Sequence, residues 1–231
     1  ADTTVMLLLL AASTLVPEPL LTGRPPSSLR EAVKLPFAEF FDRIGNARGA
    51  WILAFIVVYR LGDAMINNMT TAFLIRTGFS QTDIGVIQGG VGLFATMAGI
   101  VAGGAVMSRI GMNRSLWVFG ILAAASNLAY LLLALAGRNY ALMTSAIIIE
   151  NFFYGMVNAA MVGFLMSLCN PRFSATQYAL LSSVLAAGRD VLAAPSGRIA
   201  ELTGWPVFFL LSIVAALPGM ALLPLFAPWG K

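Results

Sequence analysis

Four residues in "VVYRLGDAMINNMTTAFL" (57–74) could do chemistry in a setting that normally excludes it. Arg60, Asp63, Asn67 and Thr70 or Thr71 recur at three- and four-residue spacing, so on a helix they form one polar stripe. Arg60 and Asp63 are close enough along that helix to pair. An ionisable side chain inside a membrane helix costs about 2.5–3.5 kcal/mol on insertion scales, so its presence points to function. A structural pair that pins helix packing is the competing reading.

A second constellation lies in "TSAIIIENFFYGMVNAAMVGFLMSLC" (144–169). Glu150 and Tyr154 are four apart, and Asn151, Tyr154 and Asn158 continue at three and four. Acid, amides and a phenol facing a cavity can hydrogen-bond a polyhydroxylated or N-acetylated ligand. Asparagines also tie membrane helices together, and that reading stays open here, as it does for Asn127 and the serines near it. The third constellation is Arg189–Asp190 in "SSVLAAGRDVLAAPSGR" (182–198), where Arg189 could meet Glu150 or a ligand carboxylate. Neighbouring helical residues point about 100° apart, so the two need not pair with each other.

Charge counting sharpens the chemistry. The apolar runs hold two cations, Arg60 and Arg189, against three carboxylates, Asp63, Glu150 and Asp190. One carboxylate is left without an arginine in this chain, which is raw material for binding and releasing a proton.

The elements that must position these residues are membrane helices. The chain of 231 residues is 59% hydrophobic and only 10% charged. Its mean hydropathy is +0.85. Six long apolar runs cover 51–75, 83–107, 115–136, 140–168, 175–199 and 206–227, each long enough to span a bilayer. They lack the short alternating segments of a membrane β-barrel, so the expected fold class is all-α and polytopic. Residues 1–16 read as the end of a further membrane helix, and 17–49 as a loop whose part from Ser28 to Arg43 forms an amphipathic helix at the membrane surface. Residues 50–231 read as a six-helix bundle.

Nine basic residues (Arg24, Arg30, Lys34, Arg43, Arg48, Arg109, Arg114, Arg172 and Lys231) fall on the side of the 17–49 loop. Arg138, with Arg76 and Arg198 near helix ends, falls on the other, so the first side is expected in the cytoplasm. A modest net charge of +4, with most basic residues in short segments between the apolar runs, does not suggest a nucleic-acid surface. With no histidine and one cysteine, Cys169, His-based triads, HExxH zinc sites and multi-cysteine metal sites are excluded. No metal or cofactor is expected. Gly85-xxx-Gly89 and Gly99-xxx-Gly103 would allow close helix approach, and Pro195 suggests a kink.

The loop "GAVMSRIGMNR" (104–114) resembles the major facilitator loop motif through Gly104, Arg109 and Gly111, with Ser108 where that family usually has aspartate. "YRLGDA" (59–64), "TTAFLIRTGF" (70–79), "FGILAAASNLAY" (119–130), "LMSLCN" (165–170), "FSATQYALLS" (173–182) and "ELTGWPVFFLLSIVAALPG" (201–219) are similar to the AmpG muropeptide permease family of Gram-negative bacteria. The resemblance runs from about residue 50 to 220. It implies a major facilitator-type transporter of the bacterial inner membrane, with residues 1–16 ending helix six and the six runs forming helices seven to twelve. The missing partner would be the N-terminal half of the same transporter.

The implied activity is import of N-acetylglucosaminyl-1,6-anhydro-N-acetylmuramic acid and its peptide derivatives from periplasm to cytoplasm. It would be driven by protons and serve peptidoglycan recycling and β-lactamase induction. On this reading Asp63 and Glu150 are the candidates for proton coupling. Arg60, Asn67, Asn151, Tyr154, Asn158 and Arg189 are the candidates for ligand contact, and Gly104, Arg109 and Gly111 for the gating loop. Arg189–Asp190 departs from the family, where an apolar residue is expected after the arginine. The wider family includes acetyl-CoA transporters. A membrane receptor that binds cell-wall fragments without moving them is the reading from another class. An intramembrane enzyme is disfavoured, since no histidine is present to serve a nucleophile.

Overall fold

The computed structural model describes residues 29–226. The expected membrane-helix end at 1–16, the front of the central loop and Lys231 lie outside the described residues. Among the described residues the chain is helical throughout, with no strand. Helix α1 is Leu29–Ile44, α2 is Asn46–Val58, α3 is Leu61–Arg76, α4 is Gln81–Val86 and α5 is Leu93–Ile110. Then follow α6 (Met112–Ala136), α7 (Tyr140–Leu168), α8 (Ser174–Ala193), α9 (Ser196–Thr203) and α10 (Trp205–Phe226).

Among the described residues five stretches are long and apolar enough to cross a membrane: Asn46–Arg76, Gln81–Ile110, Met112–Ala136, Tyr140–Leu168 and Trp205–Phe226. The turns between them use glycine where the backbone must turn left-handed. Gly111, Gly137 and Gly204 have φ of 82°, 76° and 78°, a region other residues rarely enter. Ser80 and Asn139 start α4 and α7 by accepting hydrogen bonds from the backbone N–H of Asp83 and Leu142, each at 3.1 Å.

Two of the apolar runs are broken, one of them at the proline where a kink is expected, and a third is continuous but irregularly wound. The run 175–199 is two helices, α8 and α9, broken at Ala194–Pro195. Proline supplies no N–H and its ring clashes with the preceding turn. This pair is not among the five membrane-length stretches. The run 51–75 breaks at Tyr59–Arg60, where Arg60 leaves helical geometry at φ −104°, ψ 12°. The cause is tertiary. A Cβ on Gly219 of α10 would lie 2.4 Å from Tyr59 Cα, and one on Gly62 would lie 2.5 Å from Ser212 O, so α10 presses directly on the break. The run 83–107 stays continuous but winds through a π-helical turn at Ile87–Gly92. Such turns often mark functional sites.

The two glycine pairs behave differently. Gly99 and Gly103 face α7 so closely that added Cβ atoms would fall 2.0 Å from Phe152 O and 2.8 Å from Met156 Cα. Gly85 and Gly89 meet nothing within 4 Å, so the expected close approach does not occur there.

Two apolar cores occupy opposite ends of the bundle. One gathers Phe55, Ile56, Leu116, Phe119, Met161 and Phe164, with Phe40 of α1 added from outside. The other gathers Phe73, Tyr130, Leu133, Met143, Phe208 and Phe209. Between them stand polar residues: Arg60 at the helix break, Asp63 on α3, Asn127 on α6, Glu150, Asn151 and Tyr154 on α7, and Ser212 on α10. The fold thus holds a polar layer between two apolar ones.

Candidate functional site

The polar layer opens into a cavity of ≈ 210 Å³ lined by Arg60, Asp63, Ala64, Asn67, Asn68, Tyr154 and Arg189. The helix break at Tyr59–Arg60 turns the Arg60 side chain inward, where it is 4% exposed. Its Nη1 donates to Asn158 Oδ1 at 3.1 Å, and the guanidinium lies over the Tyr154 ring, 4.6 Å from the centroid. Cation and aromatic face attract through the ring quadrupole, most strongly when water is excluded. Asp63 Oδ2 approaches Arg60 Nε only to 3.8 Å, an ion pair without a hydrogen bond. Arg60 Nε and Nη2 are left buried with no acceptor. A buried donor without a partner costs about 1–3 kcal/mol, so the fold holds this arginine at a penalty.

Glu150 is 9% exposed and has no arginine partner among the described residues. Its two oxygens accept instead from amides: Oε1 from Asn67 Nδ2 at 3.3 Å, and Oε2 from Asn151 Nδ2 at 3.0 Å. Asn67 Nδ2 also donates to Asp63 O at 2.9 Å, which joins the two carboxylate-bearing helices through one side chain. Asn151 accepts in turn from Thr96 Oγ1 at 3.1 Å and donates to Ile147 O at 2.9 Å. Asn127 Nδ2 donates to Ser212 Oγ at 3.3 Å, tying α6 to α10 below the site as interhelical glue.

Arg189 does not reach Glu150. It pairs with its neighbour Asp190, from Nη2 at 2.9 Å and Nε at 3.0 Å, and stands at the cavity wall with its side chain 38% exposed. The 100° divergence of adjacent helical positions is overcome by the long arginine stem, which folds back along the helix.

The structure therefore brings together Arg60, Asp63, Asn67, Glu150, Asn151, Tyr154 and Asn158, with Arg189 at the rim. It sets Gly104, Arg109 and Gly111 apart, at the far end of α5 and its turn into α6. Two participants escape the sequence pattern. Thr96 is a lone threonine in a glycine-rich run, and only its bond to Asn151 marks it. Asn68 lines the cavity beside Asn67, although it lies off the three- and four-residue stripe. No cluster of three or more metal-ligating side chains occurs among the described residues. The site offers hydrogen-bond donors, acceptors and one buried cation, which suits polar, acid-bearing ligands.

Comparison with known proteins gives the family context. The family described as Major Facilitator Superfamily matches residues 3–191. The chain is 44% identical over 214 residues to the anhydromuropeptide permease of Escherichia coli (strain K12), covering 92% of this chain and 43% of that protein. It is 36% identical over 188 residues to a Rickettsia conorii protein that carries the transporter name AmpG 4, covering 81% of this chain and 45% of that one. An uncharacterized protein of Haemophilus influenzae is 32% identical over 206 residues, with 86% and 48% covered. The chain spans less than half the length of these curated relatives.

Proposed function

The chain belongs to the major facilitator superfamily, and from that membership we propose that it is the C-terminal half of a secondary transporter that imports anhydro-muropeptides. The whole transporter would work by proton-coupled alternating access in the bacterial inner membrane. Its N-terminal half would close the other side of the cavity. The ligand class is suggested by the relative named anhydromuropeptide permease, which shares 44% of residues over 92% of this chain.

The observation that carries the transport reading is the polar layer itself. Arg60, Asp63, Asn67, Glu150, Asn151, Tyr154 and Asn158 gather at one level of an otherwise apolar bundle, beside a cavity. Packing alone needs no such concentration of polar groups, and the two charged ones that are buried, Arg60 and Glu150, cost free energy to desolvate. The amides of Asn67 and Asn68, which line the cavity, are of a type that matches sugar hydroxyls and N-acetyl groups, while Asn151 and Asn158 hold Glu150 and Arg60 in place behind them. Asp63 and Glu150 are the carboxylates assigned to carry protons, and the turn with Gly104, Arg109 and Gly111 is assigned to gating. The transporter assignment leaves no catalytic role for these residues.

The test is uptake of labelled N-acetylglucosaminyl-1,6-anhydro-N-acetylmuramic acid by the full-length protein in proteoliposomes. An inward proton gradient is expected to drive accumulation above the outside concentration, and a protonophore to collapse it. Saturable binding with no accumulation would instead make the protein a receptor for cell-wall fragments.

A further inference from the structure

We propose that the Nε/Nη2 edge of Arg60 is the seat of a carboxylate carried by the ligand, and that Asp63 is the group this carboxylate displaces. The inference rests on the anhydro-muropeptide reading, because the anhydro-muramic acid sugar carries a lactyl carboxylate.

The argument starts from which nitrogens are already used. Nη1 is held by Asn158 Oδ1, and the face of the guanidinium is held by Tyr154. The remaining two, Nε and Nη2, have no acceptor although the residue is 4% exposed. These two nitrogens share one edge of the planar group, and their N–H bonds run parallel. That edge is the fork that meets both oxygens of a carboxylate at once. The protein thus fixes the guanidinium in orientation while leaving its bidentate edge unbonded. Arg60 lines a cavity of ≈ 210 Å³, and its Nε and Nη2 are themselves covered, so a ligand acid would reach them by displacing the Asp63 side chain beside them. The cavity is about seven times the share of liquid volume of one water, which is room for an acid group and the atoms next to it.

Asp63 stands beside the same edge, at 3.8 Å from Nε. It compensates the charge without occupying the donors. The rival seat, Arg189, is already closed by Asp190 at 2.9 Å and is more exposed, so it supplies positive potential at the rim rather than an open fork.

The charges around the seat set its proton dependence. From its own stretch of chain Asp63 and Tyr59 stand beside Arg60; from α7 Tyr154 packs on it and Glu150 acts electrostatically without an ion pair; from α8 the cavity wall brings Arg189, paired with Asp190. α10 carries no charged residue. With Arg189 taken by Asp190, a ligand carboxylate would join Asp63 and Glu150 around one arginine. Seating it therefore goes with transfer of a proton from solution to the Asp63 carboxylate. That exchange makes binding of the acid proton-linked at this residue.

The experiment is isothermal titration calorimetry on the full-length protein in detergent. The probes are N-acetylglucosaminyl-1,6-anhydro-N-acetylmuramic acid and its lactyl amide, each in two buffers of different ionisation enthalpy. The wild type is expected to bind the acid at least ten-fold more tightly than the amide, with proton uptake for the acid only. Arg60→Gln is expected to abolish the preference, Arg189→Gln to retain it, and Asp63→Asn to retain it without proton uptake. Should Arg60→Gln fail to fold, Arg60→Lys carries the same arm, because a lysine keeps the charge but not the two-nitrogen edge. Equal binding of acid and amide by the wild type overturns the seat and leaves the muropeptide reading standing. A preference lost in Arg189→Gln but kept in the Arg60 variant also overturns the seat. Binding of neither probe overturns both.

Discussion

At the scale of single residues, Glu150 is the carboxylate whose chemistry is least constrained by charge. Asp63 and Asp190 each have an arginine within 3.8 Å, whereas Glu150 has two amides. Glu150→Gln keeps the shape but offers only one acceptor oxygen, so one of Asn67 and Asn151 would face an NH₂ group. It also removes the exchangeable proton. The full-length variant is expected to retain ligand exchange in counterflow, where no net proton movement is needed, and to lose at least ten-fold in accumulation driven by a proton gradient. Undiminished accumulation would remove Glu150 as a proton carrier and leave Asp63. That Glu150 or one of the aspartates would lack an arginine is legible in the sequence, since three carboxylates face two arginines inside apolar runs. Which one is left is not legible. The Asn67–Glu150 bond joins residues 83 apart, and its existence depends on how α3 and α7 pack. The Arg189–Asp190 pair was equally hidden, because helical geometry fixes the Cβ directions but not the path of a flexible arginine.

At the scale of helices, the breaks show what local sequence can and cannot reveal. Pro195 announces its own break, because a missing N–H is a local fact. The Tyr59–Arg60 break has no proline or glycine at its centre, and it follows from Gly219 and Gly62 admitting α10 against α2 and α3. The same logic separates two glycines in a stability test. Gly99→Ala would drive a Cβ to 2.0 Å from Phe152 O, on a backbone that cannot yield without parting α5 and α7. It is expected to destabilise by about 1–3 kcal/mol. Gly197→Ala meets only Met69 Sδ at 3.9 Å and is expected to be neutral or to gain about 0.5–1 kcal/mol from helix propensity. Thermal unfolding of the two purified variants checks the contrast, and equal midpoints would contradict it.

α1, which is not among the membrane-length stretches, gives a second element-scale test. Its Glu39 accepts from Asn170 Nδ2 at 2.6 Å, from Gln177 Nε2 and from Arg43 Nε at 3.1 Å. Gln177 Nε2 also reaches Pro36 O at 2.9 Å, and Arg43 Nη2 reaches Leu168 O. These bonds pin the loop helix to the start of α8. Burial pushes the Glu39 carboxyl up, but the hydrogen bonds from Asn170 and Gln177, with Arg43 beside it, outweigh burial and hold it below the ordinary 4.5. A depressed value in the folded state means the docking energy is fully present above about pH 4.5 and is lost as pH falls through the lower folded value. Hydrogen exchange of the 29–44 amides, corrected for intrinsic rates, is expected to stay slow at neutral pH and to quicken below pH 4.5. In Glu39→Gln it is expected to be fast at neutral pH already. Protection that is indifferent to both changes would mean that Phe40 and its apolar neighbours dock α1 without the carboxylate.

At the scale of the whole molecule, the helix ends sort into two sets. Gly78 lies against Arg138, Tyr140 Oη donates to Asp83 Oδ2 at 2.8 Å, and Arg76 meets Glu201 at 3.6 Å, so the turns near 77–83, 137–140 and 203–205 share one end. Asn170 with Glu39, Gly163 with Met107 and Met112, and Phe55 with Phe226 gather α1, the Gly111 turn, the 169–173 turn and the end of α10 at the other. This partition follows the arrangement that short separators between apolar runs imply, and the broken α8–α9 pair does not disturb it. Arg43, Arg48, Arg109, Arg114 and Arg172 belong to the second end, against Arg76, Arg138 and Arg198 near the first. Excess arginine near membrane helices stays on the cytoplasmic side, so the end holding α1 and Gly111 is assigned to the cytoplasm.

Single cysteines test the assignment in the full-length protein once Cys169, the cysteine of this chain, is replaced by serine. Gln81 and Ser108 are both exposed and lie at opposite ends. A membrane-impermeant maleimide is expected to label Gln81→Cys in spheroplasts, and Ser108→Cys only after the inner membrane is opened. The background substitution is mild, because Cys169 is half-buried with its Sγ 3.2 Å from Leu165 O, and burial pushes its thiol up and slows its reaction. The reverse labelling pattern would invert the bundle. The Gly111 turn and α1 would then face the periplasm, and the direction of transport assigned to the cavity would have to be reversed with them.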